Sequence, residues 1–262
     1  MKRTTLILIL STLSYLGFSQ SEIVPNFSFK RGEKLIFRVY YDSFVTGKVT
    51  AGEASLEVTY DNKVIGGKTT YHVIGAGHSK GAFDFFFKVI DRFESYFDDQ
   101  TLSPYVFVRR TREGDYKKDD DVTFLKNRGV AVSRNKTTPI KSDVHDFLSA
   151  YYWARNLDVT KYKFGESAYF SFFLDDTTYS TKIQFIKKED VKIGLGKFST
   201  IKIMPGVAKG TVFNKEYPFE VWVSDDKNRI PILAQSKIIV GSVKMELISY
   251  TGLANPLTSK YK

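Results

Sequence analysis

Apolar and polar residues alternate along most of the chain, in short runs separated by Asp, Asn and Gly. Between Lys34 and Tyr40, for example, Leu35, Phe37 and Val39 fall on one face of an extended backbone. Similar runs, rich in β-branched and aromatic residues, recur to the end of the chain. Their connections are too short for the crossover helices that parallel strands require, so the pattern predicts a mostly antiparallel sheet.

The longest of these runs extends from Phe85 to Phe97, and we expect a single strand there that ends at the turn residues Asp98 and Asp99. Neither face of this strand is wholly polar. Such a strand fits a large curved sheet of which both sides are partly covered. Asp91 lies on the more apolar face.

One segment, from Ser142 to Leu157, has the spacing of a helix. Its apolar residues at positions i, i+3, i+4 and i+7 are Val144, Phe147, Leu148 and Tyr151. Ser142 or Asp143 could cap the first turn. The predicted fold is therefore mainly β, a curved antiparallel sheet or half-barrel that wraps one principal helix.

Arg155 projects onto the apolar stripe of this helix, at about 100° per residue. A buried guanidinium requires a partner, and we predict a structural ion pair with Asp91. The alternative is that Arg155 extends past the helix end into solvent. Trp153 projects from the opposite side, where a loop covers it or a cavity faces it.

Residues 1–19 have the features of a cleavable signal peptide. Lys2 and Arg3 precede an apolar stretch, and Gly17 and Ser19 occupy the small-residue positions before the cleavage site. The apolar stretch is shorter than the roughly 20 residues that span a bilayer. We therefore expect residues 20–262 to form a single exported β-rich domain without a transmembrane segment. The periplasm is the first expectation for its location, and release outside the cell is the alternative.

Composition narrows the classes of function. The chain has 39 Lys and Arg against 29 Asp and Glu, a formal net charge of +10, but its basic residues are spread as short pairs. Nucleic-acid binders usually concentrate such charge in a patch, so we expect no nucleic-acid partner. The chain has no Cys and therefore no disulfides. The stability of an exported form must then come from its core, to which 22 Phe and 16 Tyr contribute.

The glycines of "GAGHSKG" do not form a dinucleotide fingerprint. Gly75, Gly77 and Gly81 lack the further glycine that the fingerprint needs at Lys80. We expect the following "AFDFFF" to be a strand, where the fingerprint needs a helix. No cofactor is predicted.

The titratable residues give no reaction centre. His72 and His78 would lie roughly 20 Å apart in one strand, at about 3.3 Å per residue, and His145 is isolated. The triplet Asp119–Asp121 lacks the order of a calcium loop, and we expect it at a hairpin tip. The sequence thus predicts no metal site, no catalytic residue and no enzymatic activity.

Four stretches of the sequence resemble a known family. They are "GEKLIFRVYYDSFVTGKVTAGEASLEV", "FFFKVIDRFESYFDDQTLSPYVFVRRTREGDY", "DVHDFLSAYYWARN" and "VWVSDDKNRIPILAQSKIIVGSVKMEL". In this order they are similar to the bacterial domain-of-unknown-function family 3108, over about Gly32 to Leu247. The resemblance implies an exported bacterial protein and supplies no substrate or catalytic residue.

The last of these stretches is also similar, more weakly, to the late hairpins of periplasmic lipoprotein carriers. That similarity implies a curved sheet that wraps a helix and encloses an apolar cavity. The candidate cavity-lining residues are then the aromatics Phe85, Phe87, Tyr151, Phe170 and Phe172.

Two classes of function remain open. The first is an exported, non-enzymatic protein that binds a lipid or another apolar, envelope-derived ligand in the sheet cavity. The second is a structural or protein-interaction module of the cell envelope that has no ligand. A pocket open to solvent favours the first, and a solid interior favours the second.

Overall fold

The computed structural model describes residues 23–44, 47–206, 219–237 and 241–262. The predicted signal peptide lies outside these residues. The first eight strands are β1 (Lys34–Ser43), β2 (Gly47–Val58), β3 (Val64–Ile65), β4 (Lys68–Ser79), β5 (Val89–Asp98), β6 (Pro104–Glu113), β7 (Tyr116–Leu125) and β8 (Val130–Val132). The next eight are β9 (Thr137–Pro139), β10 (Val144–His145), β11 (Ser167–Leu174), β12 (Thr177–Ile193), β13 (Gly196–Pro205), β14 (Phe219–Ser224), β15 (Pro231–Lys237) and β16 (Ser242–Thr251). The α-helices are α1 (Gly81–Phe86) and α2 (Phe147–Arg155), and short 3-10 turns span Lys126–Arg128 and Val159–Lys161.

The strands form one large sheet, in the order β10-β11-β12-β13-β14-β15-β16-β1-β2-β4-β5-β6-β7-β8-β9, with β3 attached to β4. All its described pairs are antiparallel except β10–β11. The prediction of a mainly β protein with a large antiparallel sheet is confirmed.

The two edges of the sheet come close together without closing it. Edge strands β9 and β10 are consecutive in the chain. The Thr138 hydroxyl donates a hydrogen bond to the Asp176 carbonyl (2.9 Å), in the turn between β11 and β12. The Thr178 hydroxyl donates to the Pro139 carbonyl (3.4 Å). Side chains thus bridge the seam where a ladder of backbone hydrogen bonds would close a barrel.

Helix α2 packs on the apolar side of the sheet, against β5, β10 and β11. Its Leu148 and Tyr152 are buried beside Phe29, Val73 and Phe97. A second buried cluster draws on β1 and on β12 to β16, and it includes Phe37, Phe198, Trp222, Ile230 and Leu247. Packed side chains therefore fill much of the interior of the curved sheet.

The predicted long strand from Phe85 is wrong in its first part. Gly81 turns the chain away from β4 with a φ of +61°, and residues 81–86 form α1. The backbone N–H of Phe87 donates to the Phe83 carbonyl (2.8 Å), which ends the helix, and β5 starts only at Val89. "AFDFFF" is consequently helical rather than extended.

The start of the principal helix also differs from the prediction. Val144 and His145 form β10, and the cap of α2 is Asp146 rather than Ser142 or Asp143. The Asp146 carboxylate accepts hydrogen bonds from the backbone N–H groups of Leu148 (2.8 Å) and Ser149 (2.9 Å). The Ser149 hydroxyl accepts the Asp146 N–H in return. This reciprocal capping box fixes the start of α2 at Asp146, after the predicted caps Ser142 and Asp143.

The triplet Asp119–Asp121 lies within β7 and not at a hairpin tip, because the chain turns at Gly114. Each carboxylate faces an arginine of β6. The pairs are Arg109 with Asp120, Arg110 with Asp121, and Arg112 with Asp119. The triplet is thus a row of cross-strand ion pairs.

A candidate ligand groove at the end of helix α2

Arg155, in the last turn of α2, forms a bidentate ion pair with Glu33. Its Nη1 lies 2.5 Å from Oε1 and its Nη2 lies 2.8 Å from Oε2 of the carboxylate. The side chains of Arg155 and Glu33 are only 2% and 0% exposed. Arg155 is thus buried and paired, but its partner is Glu33 and not the predicted Asp91.

Asp91 lies near the start of β5, beside α1, and its carboxylate accepts a hydrogen bond from the Arg112 N–H (3.1 Å). Burial raises its pKa. Glu33 is the last residue of the segment 23–33, which directly precedes β1. That segment crosses the end of α2 and supplies the carboxylate.

Two further donors of Arg155 bind backbone carbonyls. Nε donates to Asn228 (2.9 Å), in the turn between β14 and β15, and Nη2 donates to Ser28 (3.0 Å). Burial alone would lower the pKa of Arg155, but the charge of Glu33 raises it above its usual range. One guanidinium therefore joins the helix end, the N-terminal segment and a distant turn.

A groove of about 320 Å³ opens beside this junction, between the N-terminal segment and the end of α2. It is lined by Val24, Pro25, Phe27, Trp153, Asn156, Leu157, Asp158, Lys161 and Tyr162. We call this set the α2 groove.

Hydrogen bonds fix the N-terminal wall of the α2 groove. The Phe27 N–H donates to the Asn156 side chain (3.0 Å), and the Asn255 side chain donates to the Phe27 carbonyl (2.7 Å). The Val24 N–H donates to the Gln100 carbonyl (2.9 Å). The wall is thus held in place on both sides of its aromatic residue.

The opposite wall is aromatic and tightly packed from behind. The Trp153 ring lies 5.3 Å from the rings of both His145 and Phe170. Tyr162 stacks on Phe185 with a centroid distance of 4.8 Å. Half-buried aromatic rings that are packed against other rings on their far side can hold an apolar ligand without rearranging.

The polar lining of the α2 groove is sparse. Asp158 accepts hydrogen bonds from the hydroxyl and N–H of Thr160, which lower its pKa, so it stays a carboxylate. Lys161 supplies one opposite charge. Among the described residues, no group of His, Asp and Glu side chains is arranged to hold a metal ion. The lining is thus mainly apolar surface with one charge of each sign.

Behind the groove lies a set of buried titratable groups. Burial, helped by the charge of Lys126, lowers the pKa of His145 to about 3, so the imidazole is neutral. Burial lowers the pKa of Lys126 to about 8, and its ammonium donates to the carbonyls of Ser142 (2.8 Å) and Val144 (2.9 Å). Burial also raises the pKa of Asp146 to about 6. These groups hold β10 and the start of α2 in place.

None of the five predicted cavity aromatics lines the α2 groove. Phe170 lies behind Trp153, and Phe172 is opposite His145 in the β10–β11 pair. Tyr151 lies beside Arg155, 5.5 Å from ring centre to guanidinium. Phe85 and Phe87 are in the exposed region around α1.

Sequence reasoning missed Val24, Phe27 and Tyr162 as residues of the α2 groove. Only Trp153 carried a signal, because it projects away from the apolar stripe of α2. Within the described part of the chain, no helix has the length and apolarity to cross a membrane.

Comparison with known proteins gives a family and a fold. The model of family DUF3108, described as a protein of unknown function, matches residues 36–248. A β-barrel-like protein of the domain of unknown function DUF1849 from Brucella abortus is similar in structure, with a TM-score of 0.55 and 11% identity. That match covers 86% of this chain and 98% of the other.

A DUF1089 family protein from Pseudomonas aeruginosa matches more distantly, with a TM-score of 0.38 and 7% identity over 68% of this chain and 87% of the other. None of the curated proteins matches the chain. The family match covers most of the sequence, and the first structural match supports the barrel-like fold.

Proposed function

The chain belongs to the DUF3108 family, and we propose that this member is an exported, non-enzymatic protein that binds one apolar chain or ring of envelope origin in the α2 groove. The observation that carries the proposal is a solvent-open groove with Trp153 and Phe27 on facing walls. It replaces the sheet cavity expected from the sequence, because packed side chains fill much of that interior.

The size of the groove limits the ligand. Pockets for small molecules usually measure roughly 300–1,000 Å³, and this one, at about 320 Å³, is at the lower end. A single acyl chain or one ring system fits that volume better than a complete phospholipid does. The charges of Asp158 and Lys161 offset each other, so the groove selects its ligand by contact with apolar surface.

The absence of catalytic activity is part of the proposal. Both ends of the Asn156 side-chain amide form hydrogen bonds. Its Oδ1 accepts the Phe27 N–H, and its Nδ2 donates to the Tyr152 backbone carbonyl. Asp158 is engaged by Thr160. Asn156 and Asp158 are thus used to hold the groove together. Export, to the periplasm in the first place, rests on the leader-like residues 1–19.

Intrinsic fluorescence can test the proposal, because the chain has only two tryptophans. Trp222 is buried, with its indole N–H bonded to Glu189 (2.7 Å), so Trp222→Phe leaves Trp153 as the single reporter. We expect 12-bromododecanoic acid to quench Trp153 saturably and dodecanoic acid to compete with it. The absence of saturable quenching would favour a ligand-free envelope module instead.

Two matched substitutions sharpen this test. Phe27→Asp places a carboxylate in the groove, whereas Phe86→Asp makes the same change at an exposed position on α1. The dissociation constant from the quenching titration should rise at least tenfold in Phe27→Asp, which is about 1.4 kcal/mol of binding free energy. It should stay unchanged in Phe86→Asp. Equal quenching in both would place the probe outside the α2 groove.

A further inference from the structure

Helix α1 carries a concentration of exposed aromatic side chains that the α2 groove does not explain. Phe85 and Phe86 are 86% and 82% exposed, and Phe83 and Phe87 are exposed as well. No residue of this helix is buried. Single exposed apolar residues are ordinary, but several large ones together mark an interaction site.

Neighbouring turns extend this surface. Helix α1 packs beside β2, and the Lys80 N–H that precedes it donates to the Ala51 carbonyl (2.9 Å). The Phe87 ring lies against Gly114, in the turn between β6 and β7. Two more exposed aromatics flank these contacts, Phe44 after β1 and Tyr116 at the start of β7. We call Phe44, Phe83, Phe85, Phe86, Phe87 and Tyr116 the aromatic tip.

The aromatic tip is surrounded by lysines. Lys48, Lys88 and Lys117 are exposed and form no ion pair among the described residues. Lys80 pairs with Glu53 (2.6 Å). The tip is therefore apolar at its centre and carries exposed lysines at its edge.

Four carboxylates without a lysine partner among the described residues lie in the same region. Asp84 accepts a hydrogen bond from the Ser79 hydroxyl, which directs it toward the end of β4. Asp115 lies in the turn between β6 and β7. Asp91 and Glu113 lie at the β5–β6 end of the tip, where their side chains hydrogen-bond each other and burial raises the pKa of both.

We infer that the aromatic tip docks on the surface of a bilayer that contains anionic lipids. Aromatic rings favour the headgroup region, and nearby lysines gain attraction from anionic headgroups. A second copy of the chain is the poorer occupant, because a symmetric contact would bring the same lysines face to face. The tip lies at the Ser43–Gly47 end of the β1–β2 hairpin, whereas Glu33 and the α2 groove lie at its other end. The docking surface is thus separate from the proposed ligand site.

Vesicle flotation tests this inference. Protein exported with its own leader, and checked by intact mass, is mixed with phosphatidylcholine vesicles with and without phosphatidylglycerol. We expect binding to the anionic vesicles that weakens in high salt. Phe85→Ser/Phe86→Ser should lower the partition coefficient at least tenfold, and Lys48→Glu/Lys88→Glu/Lys117→Glu should remove the preference for phosphatidylglycerol.

Controls separate docking from misfolding and from ligand binding. The serine variant should keep the parent melting temperature, because both rings are exposed, and Phe27→Asp should float like the parent. Equal flotation of the parent and the serine variant would overturn the inference. A parent protein that fails to float would overturn the inference as well. This holds whether or not light scattering shows a dimer that the serine substitutions abolish.

Discussion

Arg155 and Glu33 face each other across the end of helix α2 as a bidentate ion pair that water scarcely reaches. Removing two charges from water is costly, and such a pair is tolerated only when its geometry and additional hydrogen bonds compensate. Here the carbonyls of Ser28 and Asn228 take up two of the guanidinium donors. The pair thereby anchors the N-terminal segment that forms one wall of the α2 groove.

Breaking this pair on one side should be severe. Arg155→Met leaves the Glu33 carboxylate buried without a partner, so we expect a loss of about 3–5 kcal/mol in the free energy of unfolding. Arg155→Met/Glu33→Leu should recover much of that loss. Urea unfolding measures both.

The matched control is Arg112→Met, which breaks the exposed pair with Asp119 and should cost no more than about 1 kcal/mol. A single Arg155 variant as stable as the control would show that the buried pair does not hold this region together.

The cap of α2 makes a prediction about pH. Burial raises the pKa of Asp146 from 3.8 to about 6, so the folded protein binds this proton more tightly than the unfolded chain does. The stabilisation from protonation is complete below about 3.8 and is lost as the pH rises through about 6. Above that pH the charged cap costs up to about 3 kcal/mol.

Asp146→Asn keeps a capping oxygen and removes the charge. We expect it to be more stable than the parent at pH 7.5 and to lose that advantage at pH 4, as measured by unfolding at both values. Asp146→Ala should be the less stable of the two variants at both values, because it has no cap. An advantage of the Asn variant that is independent of pH would contradict the raised pKa.

Gly252 makes a third prediction, because it lies against the turn that precedes Glu33. Its φ is +66°, and a Cβ there would lie 2.1 Å from the Gly32 carbonyl oxygen. Gly252→Ala therefore combines backbone strain with a collision that only a backbone shift relieves. Gly66→Ala is the control, since its φ is +58° and nothing lies within 4 Å of the added atom.

The control should lose about 1–2 kcal/mol, the usual cost of a left-handed conformation, and Gly252→Ala should lose more. Thermal unfolding of both variants makes the comparison. Equal losses would mean that the contact between Gly252 and Gly32 does not matter.

The sequence predicts the sheet well because alternation along a strand is a local signal. The position of Arg155 on α2 likewise predicts its burial. Its partner could not be found in this way, because Glu33 lies just before β1, far from α2 in the sequence, and alternation along a strand does not show which helix residue it meets. The helix at 81–86 was missed for a related reason, since an aromatic run favours a strand and the turn depends on the positive φ of Gly81.

The candidate site was the least predictable part. The α2 groove exists only because residues 24–27 lie across the end of α2, and distant partners such as Gln100 and Asn255 hold them there. The resemblance to lipoprotein carriers suggested Phe85 and Phe87 among the cavity-lining residues, whereas both are exposed. Trp153 was the one groove residue whose orientation could be inferred from helix geometry.

Native mass spectrometry of the protein purified from its own host tests the central claim most directly. The account predicts an adduct with the mass of a small apolar molecule on the parent chain. That adduct should be lost in Phe27→Asp and kept in Phe86→Asp, since only the first substitution enters the α2 groove. A parent chain without any adduct, or an adduct that survives Phe27→Asp, would contradict it.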